Sequence, residues 1–355
     1  MKSISKKNFI IIEGNNGSTY IFNIANSSTI NNSLRFYKDF TLRQKILKFG
    51  INMYLYSKNI IVKLGIDNNL KTAQEIKDFL YYILPFKMDI NIDEDCSILI
   101  SPTKDKVIIN YHNRYLHKFG FKKSYDKIKN EASIYFLLNN SNLKYFNVYE
   151  IFDVVDINGA MFSFKIKPKE RFSYNKDIIL ALSEMFSITI NKNYSFEEYI
   201  HNLKYRLQSQ NIDEEIIHYV LNEIITRFKD FKLPLGLTHR DFKPWNININ
   251  NSRLFIYDFE ETVENGLLLE DLLNYKIDPI IRYISYKQVV KEILKDSNIN
   301  EYKRYIKTLN IDIDFKPLIF LYIIERILFW TNQEKIEISK CYFNLLNHLY
   351  KENLI

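Results

Sequence analysis

The stretch HRDFKPWN at residues 239–246 decides what fold and what chemistry this chain can have. It sets a carboxylate at Asp241 and an amide at Asn246, and twelve residues later Asp258 begins the sequence DFE. The apolar run LFIY at residues 254–257 predicts a short strand that presents Asp258 at its end. Carboxylate and amide oxygens suit Mg²⁺, which takes one or two protein ligands together with phosphate oxygens and water. We therefore predict Asn246 and Asp258 as metal ligands, and Asp241 as the group that orients an attacking hydroxyl.

Strand and helix patterns divide most of the chain into two regions. Residues 96–168 contain short strand-like runs and one amphipathic helix, whereas the chain beyond Pro168 is mostly helical, with a hairpin pattern at residues 247–257. The strand-like runs lie at residues 97–100, 107–111, 114–119, 148–155 and 160–167. The first helix covers residues 124–138, with Ile128, Ala132, Tyr135 and Phe136 on one face, and later helices cover residues 175–188, 196–208 and 213–230. These patterns predict an α+β fold of two lobes, a small antiparallel-sheet lobe and a mainly helical lobe, with a cleft between them.

The beginning of the chain has a different pattern. Strand-like runs at residues 9–12 and 19–22 flank a segment with Gly14 and Gly17, and helical patterns follow at residues 40–57 and 72–84. We interpret the two glycines as parts of a hairpin turn and not of a phosphate-binding loop. The predicted organisation is an appended N-terminal α+β accessory domain at residues 1–92, a nucleotide-binding small lobe at residues 93–169 and a catalytic and acceptor-binding lobe at residues 170–355.

Composition narrows the class of protein. The chain has 355 residues and a net charge of +7, but its basic residues are scattered, which argues against a nucleic-acid surface. Cys96 and Cys341 are too few for a disulfide framework, and the N-terminus has no signal-peptide core. Glu325 and Arg326 interrupt the most apolar run, which therefore predicts a core helix and no membrane span. We expect a cytoplasmic protein.

The two motifs resemble those of a known family. Residues 239–246 and 258–260 are similar to the catalytic and metal-binding motifs of the aminoglycoside phosphotransferase and choline kinase group, which has a protein-kinase-like fold. The resemblance extends over residues 96–275 at motif level and is absent from the first ninety or so residues. It implies a bilobal enzyme that uses ATP or GTP with Mg²⁺ to phosphorylate a hydroxyl of a small molecule. The positive charge and the additional N-terminal region favour a sugar or related metabolite over an aminoglycoside.

The resemblance also implies roles for the residues around Asp241. Lys243 makes the loop similar to that of Ser/Thr protein kinases, in which the lysine contacts the transferred phosphate. His239 is a candidate site residue, expected to brace the loop and not to act as a base, and residues 266–271 fall where the family places an aspartate that anchors the loop backbone. Glu260 is either a further group around the metal or a cap of the turn.

Candidate nucleotide-binding residues lie in the predicted small lobe. Lys118, within the third strand, would contact the α- and β-phosphates, and Glu131 on the following helix would be its partner. Lys106 is the alternative lysine if the strands are shifted. The remaining candidates are two hydroxyl groups that lie where family members carry a phosphate loop, and a hinge segment whose backbone would meet the adenine. They are Ser101 and Thr103 in the loop and Lys167 in the hinge at residues 167–169.

Two other functions are compatible with these motifs. A protein kinase is disfavoured because residues 261–266 are too short for an activation loop that binds a peptide. A pseudokinase, or another nucleotide-binding regulator without catalysis, is disfavoured because the candidate residues for nucleotide, metal and proton are all present. The acceptor pocket is left open: four aromatic residues could line a sugar site, but their helical spacing favours core packing. They are Tyr283, Tyr286, Phe329 and Trp330.

Overall fold

The computed structural model describes residues 7–14, 17–26, 29–30, 42–63, 70–84, 92, 96–111, 114–168, 177–212, 214–250 and 253–352. The chain forms two units, one comprising residues 1–140 and 148–170, the other residues 141–147 and 171–355. The first unit is built on a β-sheet and the second is mostly helical. The α+β class predicted from the sequence is therefore confirmed.

Eight antiparallel strands form the sheet of the first unit. In chain order they are β1 (Lys7–Glu13), β2 (Thr19–Asn23), β3 (Lys71–Thr72), β4 (Cys96–Ile100), β5 (Lys106–Tyr111), β6 (Tyr115–Phe121), β7 (Tyr149–Ile157) and β8 (Met161–Pro168). Their order across the sheet is β3-β1-β2-β4-β5-β6-β8-β7. Because β2 pairs with β4, with Thr19 opposite Ile100, the first three strands extend the sheet formed by the other five. The boundary at residue 92 stays a prediction.

Helices cover this sheet with the apolar side chains that the sequence pattern indicates. They are α1 (Leu42–Lys63), α2 (Ala73–Ile83) and α3 (Tyr125–Asn140). A capping box formed by Thr72 and Glu75 starts α2. Ile128, Ala132 and Tyr135 of α3 are buried as predicted, but Phe136 is 47% exposed. That prediction was wrong because Tyr135 takes the inner position, and the next residue is turned about 100° around the helix axis.

Close packing of α3 on β6 depends on Gly120. A Cβ atom at this position would lie 2.5 Å from Ile128 Cγ1 and from the Ser124 carbonyl oxygen. The glycine therefore lets the strand approach the helix, and the approach fixes the position of Lys118 on β6 relative to Glu131 on α3.

Two short strand pairs flank the two motif segments in the second unit. They are β9 (Leu235–Thr238) with β12 (Val263–Leu267), and β10 (Ile247–Asn250) with β11 (Arg253–Ile256). The second pair is the hairpin predicted from the sequence. Its strands directly follow residues 239–246 and directly precede residues 257–262, so the two motif segments are held by strand ends.

Helices make up the rest of the second unit. They are α4 (Ile178–Ser187), α5 (Phe196–Ser209), α6 (Glu215–Phe228), α7 (Glu270–Ile277), α8 (Tyr286–Ile293), α9 (Asp296–Thr308), α10 (Phe315–Asn332) and α11 (Ile336–Lys351). Helix α10 is buried all around from Pro317 to Trp330, which confirms the predicted core helix. No helix among the described residues is long and apolar enough to cross a membrane.

Candidate active site

Asp271, in the first turn of α7, anchors the loop that begins after β9. Its carboxylate accepts hydrogen bonds from the backbone N–H of His239 at 2.7 Å and of Arg240 at 2.8 Å. Arg240 has a left-handed backbone with φ of 60°, a conformation that costs energy for a residue with a side chain. Burial and the charge of Glu270 raise the pKa of Asp271 to about 8, although the two backbone hydrogen bonds oppose this shift. The anchoring aspartate thus lies in residues 266–271, the segment in which the resemblance to the family implies it.

His239 joins this loop to the strand end that carries Asp258. The imidazole is fully buried, and its Nε2 lies 3.0 Å from the carbonyl oxygen of Tyr257. A carbonyl only accepts, so Nε2 must carry the proton. Burial lowers the pKa of His239, which favours the neutral ring. The geometry is that of a brace, while the catalytic relevance of His239 stays a prediction.

Asp241 is held by two side chains from its own loop. Asn246 Nδ2 donates to the backbone oxygen of Asp241 at 2.8 Å and to its Oδ2 at 2.9 Å. The ammonium of Lys243 donates to Oδ1. The carboxylate keeps further lone pairs for a hydroxyl donor, and an amide oxygen such as that of Asn246 is a suitable cation ligand.

Asp258 lies at the end of β11 in a left-handed conformation, with φ of 73° and ψ of 54°. Its neighbours Glu260 and Glu261 belong to a single turn of 3₁₀ helix. Asp241, Asp258 and Glu260 line one cavity of about 120 Å³, which we call the catalytic cavity. Hard carboxylate oxygens on one wall match the ligand preference of Mg²⁺. The residues fit such an ion, and the assignment of Asn246 and Asp258 as its ligands stays a prediction.

A buried network outside the motifs holds Lys243. The ammonium of Lys243 lies 3.1 Å from Asp278 Oδ2, and Arg326 donates to the same oxygen at 2.9 Å. Arg326 also donates to the backbone oxygen of Arg240 at 2.9 Å, and the Tyr342 hydroxyl donates to Asp278 Oδ1. Sequence reasoning missed this network. Its one signal was the charged pair at residues 325–326 inside an apolar helix, which indicates buried, paired charges.

A second buried network surrounds the side chain of Arg240. Its Nε donates to Glu270 Oε1 at 3.1 Å, and its guanidinium lies 3.5 Å from Glu325 Oε2. Glu325 accepts from Arg206 and, at 2.5 Å, from the Tyr199 hydroxyl. Burial pushes the pKa of Glu325 up, but the charge and hydrogen bonds of Arg206, the charge of Arg240 and the hydrogen bond from Tyr199 outweigh it and hold that pKa below its usual value. Arg240 is thereby neutralised within the protein.

In the first unit, Lys118 and Glu131 form a buried ion pair. Lys118 Nζ lies 2.7 Å and 2.8 Å from the two carboxylate oxygens of Glu131, and the two residues are 5% and 0% exposed. The alternative, Lys106, lies on β5 opposite Gly120. The structure therefore brings together the predicted pair, and its role in nucleotide binding stays a prediction.

The three other residues predicted to bind the nucleotide already make contacts within the protein. Ser101 and Thr103 both donate to Asp105 in the turn between β4 and β5, so binding phosphate through these hydroxyls requires the bonds to exchange. Burial raises the pKa of Asp105, but these hydrogen bonds outweigh it and lower that pKa overall. Lys167 is exposed on β8, with its Nζ 3.4 Å from Glu150. Lys169 of the proposed hinge lies outside the described residues. The three assignments stay predictions.

The four aromatic residues considered for an acceptor pocket separate into two groups. Phe329 and Trp330 are each 7% exposed, as core packing predicts, yet both border the catalytic cavity. Tyr283 is 67% exposed and Tyr286 is half-buried. Core packing is therefore confirmed only for the pair on α10.

Comparison with protein-family models and with curated proteins gives no match for this chain. Among solved structures, the chain is similar to a thermostable mutant of aminoglycoside phosphotransferase APH(4)-Ia, with 9% identity, a TM-score of 0.45, and coverage of 70% of this chain and 90% of that one. It is similar to ADP-bound aminoglycoside phosphotransferase APH(2'')-Ib at 18% identity and a TM-score of 0.42, over 77% and 96% of the two chains. Wild-type aminoglycoside 2'-phosphotransferase-IIIa, in its GDP complex, has 13% identity and a TM-score of 0.42, over 70% and 90%. These similar structures belong to the family whose motifs residues 239–246 and 258–260 resemble.

Proposed function

We propose that this protein is an ATP- and Mg²⁺-dependent phosphotransferase that phosphorylates a hydroxyl of a small molecule, a sugar or a related metabolite. The observation that carries the proposal is the fixed carboxylate of Asp241. It is held between the Asn246 amide and the Lys243 ammonium, at a cavity that Asp258 and Glu260 also line. Phosphoryl transfer depends mainly on positioning and on charge stabilisation, which such an arrangement provides.

In the proposed reaction, Asp241 accepts a hydrogen bond from the acceptor hydroxyl and takes its proton late. The acceptor oxygen forms a bond to the γ-phosphorus while the bond from that phosphorus to the β-γ bridging oxygen breaks, and ADP leaves. Lys243, next to Asp241, stabilises negative charge on the transferred group. Asn246 and Asp258 would hold Mg²⁺, which when bound neutralises charge on the phosphates. The Lys118–Glu131 pair would contribute an ammonium to the α- and β-phosphates.

The segment after Asp258 supports a small acceptor over a protein substrate. It passes from the 3₁₀ turn at Phe259–Glu261 into β12, which begins at Val263 and pairs with β9. A segment that is hydrogen-bonded to β9 so soon after the metal-binding position leaves little chain for binding a peptide.

The deciding experiment measures ADP release with a panel of sugars, aminoalcohols and aminoglycosides. We expect one class of acceptor to stimulate release, and Asp241→Asn to reduce that turnover by about 10²- to 10⁴-fold, the usual contribution of a general base. Asp230→Asn, at an exposed position, is the matched control and should leave turnover unchanged. If no acceptor raises ADP release above the Asp241→Asn level, the protein is a nucleotide-binding regulator. Labelled phosphate in protein bands would make it a protein kinase.

The proposed metal site has its own test. Replacing Asp258 by Ala should abolish the Mg²⁺ dependence of nucleotide binding, measured by calorimetry with and without the ion. Unchanged Mg²⁺-dependent binding would show that the cation is held elsewhere.

A further inference from the structure

Three cavities of the second unit lie next to one another and share lining side chains, and we call the three together the groove. The catalytic cavity meets a middle cavity of about 360 Å³ at Glu261, Phe329 and Gln333. The middle cavity meets a distal cavity of about 410 Å³ at Arg206 and Arg240. The groove therefore leads from Asp241, along α10 and α5, to the neighbourhood of β12.

We propose that this groove binds a neutral, polyhydroxylated acceptor longer than one sugar ring, with its reacting hydroxyl at Asp241. The inference rests on the proposed function for the position of the reacting end. Small-molecule sites usually span roughly 300–1,000 Å³. The middle and distal cavities each reach that size and the catalytic cavity does not. The body of the acceptor therefore lies in the two larger cavities, and only its reacting end reaches the catalytic cavity.

The charges of the middle and distal cavities disfavour an acceptor body with many amino groups. Each carboxylate that lines the middle and distal cavities already has a partner within the protein. Glu270 accepts from Arg240, Glu325 from Arg206 and Tyr199, and Glu261 from Gln333 at 3.5 Å. In the distal cavity the two guanidinium groups balance the two carboxylates. A polyamine in the distal cavity would have to displace the buried ion pairs of Glu270 and Glu325, which costs more than binding at an unpaired carboxylate would.

The uncharged lining residues suit hydroxyl groups. Amide side chains at Asn191, Asn202 and Asn265 border the distal cavity, and Ser209 and Gln210 border the middle one. Such groups both donate and accept, as sugar hydroxyls do. The rings of Tyr194 and Tyr199 meet edge to face at 6.5 Å and give the distal cavity an aromatic wall for the apolar face of a ring.

Two residues that border the groove each carry a buried N–H group, which is a hydrogen-bond donor. Arg206 Nε and Trp330 Nε1 have no hydrogen-bond partner among the described residues. Trp330 borders the catalytic cavity, and Arg206 borders both larger ones. An unpaired buried donor is costly, and a hydroxyl or ring oxygen of the acceptor would remove that cost once the side chain turns its N–H towards the groove.

The test measures binding without nucleotide, by calorimetry, for five probes: glucose, the neutral trisaccharides maltotriose, cellotriose and raffinose, and the amine-bearing pseudotrisaccharide kanamycin. We expect at least one neutral trisaccharide to bind about tenfold more tightly than glucose and than kanamycin. Arg206→Lys keeps the charge but removes the Nε donor, and Tyr194→Ala removes the aromatic wall. Each should weaken that binding about tenfold, the effect of one good polar or aromatic contact. The controls Arg227→Lys and Tyr205→Ala, both at exposed positions, should bind as the wild type does.

Two outcomes overturn the inference: kanamycin binds more tightly than every neutral trisaccharide, or the groove variants bind like their controls. Turnover, measured separately, distinguishes this failure from failure of the proposed function. Asp241-dependent phosphorylation of kanamycin or glucose, with no trisaccharide binding, retains the phosphotransferase and rejects the groove. Groove-dependent trisaccharide binding, with no ADP release for any acceptor, retains the groove and rejects the phosphotransferase.

Discussion

Two buried lysines, one in each unit, are held in different ways. Lys118 on β6 meets both oxygens of Glu131, which lies 13 residues later on the adjoining helix. Lys243 lies between Asp241, two residues before it, and Asp278, which follows helix α7. The first lysine thus meets both oxygens of one residue on an adjoining helix, whereas the second lies between the carboxylates of two residues. Sharing suits a lysine that must pass from a carboxylate to a transferred phosphate, and fixation suits one that holds phosphates that stay in place.

The contacts that set the positions of the two lysines also differ. Asp278 also binds Arg326 of α10 and Tyr342 of α11, so the position of Lys243 depends on two distant helices. The position of Lys118 depends on one strand and on the helix that Gly120 allows to approach. Replacing Glu131 should therefore affect mainly the first unit. Replacing Asp278 should change the position of Lys243 and thereby affect the loop at residues 239–246.

The largest expected effect is on the stability of the first unit. Lys118→Met leaves the buried carboxylate of Glu131 without this ammonium and should lower the free energy of unfolding by about 3–5 kcal/mol. The double variant Lys118→Met with Glu131→Leu should be more stable than either single variant, because neither charge of this buried pair is then left without the other. Urea unfolding followed by circular dichroism measures both effects.

Lys71→Met is the control for this pair. It breaks the exposed ion pair with Glu75 and should cost less than about 1 kcal/mol. A double variant as unstable as the sum of the two single ones would show that Lys118 and Glu131 do not depend on each other.

A smaller effect, on turnover, is expected in the second unit. Asp278→Asn removes the negative charge that pairs with Lys243. It should lower kcat by about 10- to 100-fold, the loss expected for a hydrogen bond to a charged group. KM for the acceptor should change little, because Asp278 does not border the groove. Glu131→Gln should instead raise KM for the nucleotide, and steady-state kinetics of ADP release separates the two patterns.

Tyr342→Phe provides the control for Asp278, since it removes one hydrogen bond and keeps the carboxylate. Its loss of kcat should be smaller than that of Asp278→Asn. If Asp278→Asn changes KM and leaves kcat unaltered, Asp278 does not position Lys243 for the chemical step.

The sequence predicted the parts of the molecule that depend on local patterns. Strands β4 to β8 and the hairpin after Asn246 follow from alternation and turns within 30 or so residues, whereas the pairing of Lys118 with Glu131 was implied by the resemblance to a known family. It did not predict the pairing of β2 with β4, because that register depends on contacts between distant segments. The sequence did not predict the contact of Asp278 with Lys243 for the same reason, because it depends on the packing of α7, α10 and α11.

Similar limits apply to individual side chains. The pair at residues 325–326 was correctly interpreted as evidence against a membrane span, but the pattern could not show that Arg326 supports the Arg240 backbone. The hydroxyls of Ser101 and Thr103 bond to Asp105 because the chain turns back at Lys104, which has φ of 56°. A lysine in a left-handed turn gives no sequence signal of the kind that glycine gives.

The smallest effect, at most about 1.4 kcal/mol over one pH unit, separates the two units by pH. Burial and the charge of Lys165 lower the pKa of His117, on β6, to about 3, whereas burial and Glu270 raise the pKa of Asp271 to about 8. The stability that His117 contributes is complete above its unfolded value of 6.5 and is lost as the pH falls towards 3. The stability that Asp271 contributes is complete below its unfolded value of 3.8 and is lost as the pH rises towards 8.

Hydrogen exchange followed by mass spectrometry tests these opposite slopes, because it reports opening free energies for peptides of each unit. Peptides of β6 should lose protection below pH 6.5, and peptides of β9 should lose it between pH 6.5 and 8, each by up to about 1.4 kcal/mol per pH unit. His117→Phe should flatten only the acid slope, and Asp271→Asn only the alkaline one. An alkaline slope that survives Asp271→Asn would mean that another group titrates there. The loop at residues 239–246 would then be anchored by an Asp271 carboxylate that stays ionised throughout this range.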